Sequence, residues 1–329
     1  MKQDLIEIIE QIRGKRILVI GDMIADIYLD GRISRISREA PVLVLEQSGE
    51  KIVAGGAANV VNNAASLGGK VYAVGLVGLD SGAKGLKAIL DENDVDTNGL
   101  FCDEKRPTIS KTRIIAGGRA TVSQQIVRID KESKEPMAPA FEAQIMQYIE
   151  RLLPHIHGVV LSDYGSGTIT ESIRKMIFYH CQQKGIPTIV DSRYDIHEFQ
   201  GVDYVKQNDA ELAAAVGRNL EDEDDLYAAG QQLLQELEAQ GVLITRGEKG
   251  MVLFEANGAI HTIPVSDKSE VYDVSGAGDT CVAAVILALA AGVEPVYAAE
   301  LSNIASGIAV RKLGTATVSA EELRTAVER

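Results

Sequence analysis

The sequence predicts an α/β fold: a doubly wound, mainly parallel sheet flanked by helices, with a small β-sheet appended to it. Three observations carry that prediction. From Phe141 onward, short apolar runs alternate with helical ones. Near the N-terminus an apolar run, residues 16–20 (RILVI), stops at Gly21-Asp22, as buried strands of α/β proteins do before a functional turn. Two further stretches, 27–46 and 108–130, read as extended and carry no helices of their own.

In chain order, residues 1–16 read as an amphipathic helix, without the continuous apolar segment of a signal peptide. The 16–20 strand follows, then the first extended stretch, broken at Gly31 and Pro41. Residues 55–67 read as a helix opened by paired glycines, 71–77 as a strand and 83–93 as a helix. The second extended stretch is rich in β-branched residues, which favour strands. Strands are expected at 158–161, 188–190 and 242–245, with helices at 172–184 and 226–240. Asn257-Gly258, between 251–255 and 259–263, is a strong hairpin signal. The acidic run 221–225 reads as a solvated helix start. No fixed-period repeat interrupts the pattern, so 1–329 is expected to be one domain, with 27–46 and 108–130 as a lid over a cleft.

Composition narrows the function classes. The 329 residues carry 33 Lys and Arg against 47 Asp and Glu, a formal charge of −14, which repels polyanions and argues against nucleic-acid binding. The longest apolar run, 281–291, is far below the roughly 20 residues that span a bilayer, so no membrane association is expected. Cys102, Cys181 and Cys281 are widely spaced, against a disulfide framework or zinc site, and a cytoplasmic location is expected.

The chemically richest segment is Asp273-Val274-Ser275-Gly276-Ala277-Gly278-Asp279-Thr280, which runs straight into an apolar helix. Glycines at a helix start let backbone N–H groups converge on an anion, and the helix dipole adds to the attraction. Asp279, in the first turn, cannot bind phosphate but can take a proton from a hydroxyl attacking a phosphoryl group. The same residues also fit a plain tight turn with Asp279 as a cap. Two other nucleotide motifs are excluded. A dinucleotide fingerprint would need glycine where Cys281 stands, and a P-loop ending at Gly69-Lys70 has Ala64 and Val71 at required positions.

That segment resembles the C-terminal signature of ribokinase-like carbohydrate kinases (the phosphofructokinase B group), D-[TS]-x-G-A-G-D, with Val274 at the usual Thr/Ser position. Gly55-Gly56-Ala57-Ala58-Asn59 resembles the family's paired-glycine signature, and the likeness runs from about Arg16 to Val318. Residues 34–42 (SRISREAPV), 108–113 (TISKTR), 125–130 (QIVRID), 161–164 (LSDY) and 312–318 (KLGTATV) are similar to the kinase domain of bifunctional ADP-heptose synthases. The resemblance implies a ribokinase-like fold and an ATP-dependent kinase acting on the anomeric hydroxyl of D-glycero-β-D-manno-heptose 7-phosphate. None of His155, His157, His180, His197 or His261 lies in an H-x-G-H motif, so no adenylyltransferase domain is expected, and a separate adenylyltransferase would serve the pathway.

By the same resemblance, Asp279 is the base, and the backbone of Gly276, Ala277 and Gly278 forms an anion hole beside it. Asp26, Gly56 and Asn59 contact the sugar, and Arg35, Arg38, Lys111, Arg113 and Arg128 supply cations for its phosphate. Lys206, Asn208, Glu211, Thr245, Gly247, Gly250 and Asn303 serve the nucleotide. Asn208 and Glu211 (N-x-x-E, otherwise an ordinary helix start) hold Mg²⁺ through water, and Asp273 with carbonyls near Ser275 and Gly314 resembles a K⁺ site. A homodimer through the lid strands is expected. Two departures bear on the substrate: Ser166 stands where the heptose kinases usually have lysine, and Asp191-Ser192-Arg193 replaces D-P-K. The alternatives are a kinase for another sugar or sugar phosphate, such as a hexose phosphate or ribose, and a non-catalytic sugar- or nucleotide-binding regulator.

Overall fold

The computed structural model describes residues 2–117, 123–266 and 271–328. Helix α1 (Lys2–Gln11) leads into β1 (Arg16–Gly21), buried throughout after Arg16. The chain passes directly into β2 (Met23–Ile36), which pairs antiparallel with β3 (Leu43–Gly56). Then come α2 (Ala57–Ser66), β4 (Lys70–Val77), α3 (Ser81–Asp91) and β5 (Asp96–Cys102). Strands β6 (Ile109–Gly117) and β7 (Gln124–Lys131) join β2 and β3 in a four-stranded sheet of order β3-β2-β6-β7.

The second half alternates as its pattern predicts: α4 (Pro139–Leu152), β8 (Gly158–Asp163), α5 (Glu171–Lys184), β9 (Thr188–Ser192), β10 (Tyr204–Asn208), α6 (Asp209–Val216), α7 (Glu223–Glu236) and β11 (Gly241–Thr245). The Asn257-Gly258 hairpin joins β12 (Met251–Glu255) to β13 (Ile260–Ile263), and α8 (Ala277–Ala290), α9 (Pro295–Ala309) and α10 (Ala320–Glu328) close the chain.

The main sheet has nine strands, β13-β12-β11-β10-β9-β8-β1-β4-β5, parallel except where β12 and β13 turn back. Winding proceeds from β1 to β4 and β5 on one side and through β8 to β11 on the other. The topological switch therefore lies between β1 and β8, where open α/β sheets bind their ligands beyond the strand C-termini. One face of the sheet is covered by α1, α2, α8, α9 and α10, the other by α4, α5 and α7. Helix α8 is apolar all round and is buried from Asp279 to Leu289, as such a helix must be.

The helix expected at 55–67 starts two residues later, because Gly55 and Gly56 end β3 and Gly56 serves as the N-cap of α2. Strands β5 and β10 carry no clear apolar run: DTNGLFC opens with three polar residues and a glycine, and YVKQN buries Lys206 and Gln207. The acidic run 221–225 does start a helix, with the Asp222 side chain accepting from the Asp225 N–H.

Candidate active site

The site forms where β1 and β8 end and the N-terminus of α8 faces them. Gly276, at φ 80°, is the α8 N-cap, so the first-turn N–H groups of Ala277, Gly278 and Asp279 begin there without a side-chain cap. The left-handed φ of Gly276 favours glycine there, and two side chains come close to this turn. A β-carbon at Gly276 would lie 2.6 Å from the Asn59 amide nitrogen, and one at Gly278 would lie 2.8 Å from the Lys206 ammonium.

The Asp279 carboxylate is almost fully buried and is gripped at both oxygens. Asn59 Nδ2 donates to Oδ2 at 2.7 Å, and the Tyr164 hydroxyl donates to Oδ1 at 3.0 Å. Asn59 is itself oriented: its Oδ1 accepts from Asn63 Nδ2, whose own Oδ1 accepts from the Thr280 hydroxyl and the Val318 N–H. Burial pushes the Asp279 carboxyl up to about 6 against the opposing pull of Asn59; Asp191 adds to the rise, while Lys206 and Tyr164 oppose it. Near pH 7 such a group is mostly ionised and basic enough to accept a proton from an activated hydroxyl.

A cavity of about 950 Å³ opens on one side of Asp279. It is bounded by Lys206, Asn208, Glu211, Thr245, Gly247, Gly250, Asn303 and the first turn of α8, so the sequence-expected nucleotide residues converge on one space. That volume is ample for a nucleotide. Lys206, buried, pairs with Asp191 at 3.0 Å. Burial works against the Lys206 charge, but Asp191 and Glu211 hold its ammonium above the ordinary lysine range. Asn208 and Glu211 form a reciprocal capping box on α6, using Asn208 Oδ1 and Glu211 Oε2. Glu211 also lines the cavity. No cluster of three or more His, Cys, Asp or Glu among the described residues could hold a metal directly. A sparse set of hard oxygens fits Mg²⁺ held largely through its own waters.

On the other side of Asp279 lies one face of the four-stranded sheet. The register places Asp26 beside Lys111, Tyr28 beside Arg113, and Arg113 opposite Arg128, so these side chains share a face. Arg113 pairs with Asp26 at 2.6 Å and lies over the Tyr28 ring, while Lys111 lies over the Tyr164 ring. Burial and the nearby Arg193 push the Lys111 ammonium below its ordinary range. Arg128 is exposed and pairs with Asp130. Arg35 and Arg38 do not join this group. They are exposed, and Arg35 is farther along β2 than Asp26 by about 30 Å of strand.

Asp273 binds the Ser275 N–H through Oδ1 and the Gly314 N–H through Oδ2, which ties the α8 entry to the 312–317 loop. Gly56 sits at the α2 N-terminus, and Asn59 directs an amide hydrogen at Asp279. Sequence reasoning missed three contributors. Tyr164 lay in a quoted motif without a role, Asp191 was noted only as part of a departure, and Asp22 carried the single signal of a charge directly after an apolar strand. Asp22 is wholly buried and accepts from the Tyr164 and Ser166 N–H groups through Oδ2.

Comparison with known proteins places the chain in a family. The chain is 40% identical over 320 residues to the bifunctional protein HldE of Granulibacter bethesdensis, covering 95% of this chain and 65% of that protein. It is also 40% identical over 307 residues to HldE of Geobacter metallireducens, covering 93% and 61%. The chain thus spans less than two thirds of the length of these relatives. Arabidopsis thaliana ribokinase, solved with ribose and ATP, superposes with a TM-score of 0.73 at 19% identity, over 96% of this chain and 99% of that one. Phosphofructokinase-2 from Escherichia coli, with substrates and products, gives 0.75 at 20% identity, over 95% and 98%. Both likenesses concern the fold. A family model described as pfkB family carbohydrate kinase matches residues 15–323, and with that span the chain belongs to the pfkB family of carbohydrate kinases.

Proposed function

We propose that this ATP-dependent sugar kinase transfers the γ-phosphoryl group of ATP to the anomeric hydroxyl of D-glycero-β-D-manno-heptose 7-phosphate, giving the 1,7-bisphosphate and ADP. The observation that carries the reading is the Asp279 carboxylate, held at the α8 N-terminus between a nucleotide-sized cavity and a cationic sheet face. The heptose assignment draws support from the HldE relatives and from the 34–42, 108–113 and 125–130 segments, the last two of which build that face.

In this mechanism Asp279 takes the proton of the sugar hydroxyl as it attacks, and the first-turn N–H groups of α8 absorb charge growing on the transferred group. Lys206 steadies the nucleotide phosphates, with Thr245, Gly247, Gly250 and Asn303 lining the nucleotide space. Lys111, Arg113 and Arg128 offset the phosphate that the sugar already carries, which the net charge of −14 would otherwise repel. Asp26 and the backbone at Gly56 orient the sugar hydroxyls. Asn208 and Glu211 would hold Mg²⁺ through water, and that ion supplies neutralisation of the β- and γ-phosphate oxygens when bound. Asp273, with backbone near Ser275 and Gly314, is read as the K⁺ locus. Replacing K⁺ by Na⁺ at constant ionic strength is then expected to lower kcat severalfold, and equal rates would remove that ion from the reading.

The four-stranded sheet is read as the lid and as a homodimer interface. Ile36, Val42, Leu43, Val127 and Ile129 stand exposed on it, an unusual density of apolar surface for a thin sheet. A second copy packed there would also give Arg35 and Arg38 a use, since a lid tip too far from its own sugar can reach a neighbour's. Sedimentation of Ile129→Asp should shift the protein toward monomer, and an unchanged dimer would place the interface elsewhere. No helix among the described residues is long and apolar enough to cross a membrane. The reading places the protein in the cytoplasm, without nucleic-acid or membrane partners, upstream of an adenylyltransferase that takes up its product.

The test is a coupled ADP-release assay with Mg-ATP and a panel of heptose 7-phosphate, fructose 6-phosphate, fructose 1-phosphate and ribose. Turnover on the heptose phosphate alone is expected. Turnover on another sugar keeps the kinase and overturns the heptose, the outcome that Ser166 and the Arg193 guanidinium over Tyr164 would favour. ATP binding without turnover on any sugar would favour a non-catalytic regulator.

A further inference from the structure

Tyr164 stands where three parts of the molecule meet, and no role has yet been given to it. It follows β8 at the topological switch, and its backbone N–H is fixed by the buried Asp22 at 2.8 Å. The Ser166 N–H reaches the same Asp22 oxygen at 3.1 Å, so the turn is pinned on both sides of Gly165. Lys111 from β6 lies 5.2 Å from the Tyr164 ring centre, and Arg193 beyond β9 lies 5.1 Å from it. Cations at such distances are attracted to an aromatic face. The ring is thereby held from the small sheet and from the main sheet, and its hydroxyl donates to Oδ1 of Asp279 at 3.0 Å.

We propose that Tyr164 is a positioning residue for phosphoryl transfer: its hydroxyl, with the Asn59 amide, clamps the Asp279 carboxylate in the orientation from which it meets the sugar hydroxyl. This rests on the reading of Asp279 as the base. The clamp has a definite geometry, because Asn59 holds Oδ2 and Tyr164 holds Oδ1, and loss of either donor frees the carboxylate to rotate about its last torsion. The phenol stays a donor across the working range, since burial and the Asp279 and Asp191 charges hold its proton on. The charged groups facing Asp279 are Asp191 from β9 and Lys206 from β10; Lys111 and Arg193 act on it through the Tyr164 ring. Removing the hydroxyl subtracts one of the two side-chain donors that favour the ionised carboxylate.

The experiment uses Tyr164→Phe, which keeps the ring and both cation contacts, beside Asp279→Asn. In the ligand-free protein, ¹³Cγ-aspartate NMR, with Asp279→Asn to assign the resonance, should show the Asp279 midpoint rising by about one pH unit in Tyr164→Phe. On the turned-over sugar, kcat should fall roughly 10- to 100-fold, with the KM for ATP within about twofold and the acid limb of the pH profile moved up. Tyr164→Phe in the Asp279→Asn background should cost nothing further. Fluorotyrosine at 164, a stronger donor that preserves the fold, should move the midpoint down. An unchanged midpoint in both substituted proteins, or a wild-type kcat and acid limb in Tyr164→Phe, overturns the positioning role while leaving the base intact. Full activity in Asp279→Asn overturns the base itself, a separate result.

Discussion

The α8 terminus and the four-stranded sheet flank the same carboxylate but are built on opposite plans. Around α8, polar groups are buried and paired: Asp279 with Asn59 and Tyr164, Lys206 with Asp191, Asn63 with Thr280 and Val318. On the small sheet, only the Arg113–Asp26 pair is drawn inward, while Arg128, Arg35 and Arg38 are exposed. A buried, fully satisfied network holds one geometry, whereas charges on a thin sheet tolerate change at little energetic cost. The difference separates two duties. On the proposed function, the chemistry is fixed in the core and the recognition of the sugar is carried where the fold permits variation.

The sharpest way to break this contrast is Asp279→Asn. It should lower kcat by about 10²- to 10⁴-fold while ATP affinity, followed by calorimetry, stays within a few fold. A retained kcat would move the chemistry away from α8. Next, Lys206→Met leaves Asp191 buried without its partner, and urea denaturation should show a loss of about 3–5 kcal/mol, the usual consequence of breaking a buried pair. Arg128→Ala on the sheet, where the pair with Asp130 is exposed, should instead leave stability nearly unchanged and raise the KM for the sugar phosphate roughly tenfold, with the KM for ATP constant. Equal stability losses in the two variants would erase the contrast between the regions. The smallest effect is on pH. Because the Asp279 carboxyl is raised to about 6, the ionised base is present above that pH and lost below it. The rate should therefore be level from about pH 7 upward and fall toward tenfold per unit well below 6, measured as kcat at saturating substrates. A limb near 4 would mean that burial does not perturb this carboxyl.

How much was legible in the sequence follows the same division. The alternation of apolar runs gave the parallel sheet, and Asn257-Gly258 gave its terminal hairpin, because both signals are local. Strand β10 escaped notice since its C-terminal half carries the buried lysine and amide that the site requires, so function erased the pattern. Asp279 and its glycines stood out through a compact motif. The close packing around those glycines did not: Asn59 and Lys206 reach them from distant parts of the chain. Asn208 and Glu211 illustrate a signal with two meanings, since the N-x-x-E that the resemblance reads as a Mg²⁺ locus also builds a capping box through Asn208 Oδ1 and Glu211 Oε2. The misfit of Arg35 and Arg38 has a simple cause. Sequence proximity to Asp26 says nothing of a strand's length, and β2 carries them away from it.

The clamp on Asp279 has a consequence for the birth of the protein. Its donors come from positions 220 and 115 residues earlier, and the amide chain behind Asn59 reaches the Val318 N–H, 255 residues beyond Asn63. Contacts of such separation close late in folding, after the loop entropy between them has been overcome. A ribosome-bound chain lacking its last segments can assemble strands of the main sheet, yet it has no ordered base and no complete anion hole. On the proposed function, competence to split ATP arrives only with the finished fold, and a growing chain consumes none of the nucleotide that surrounds it.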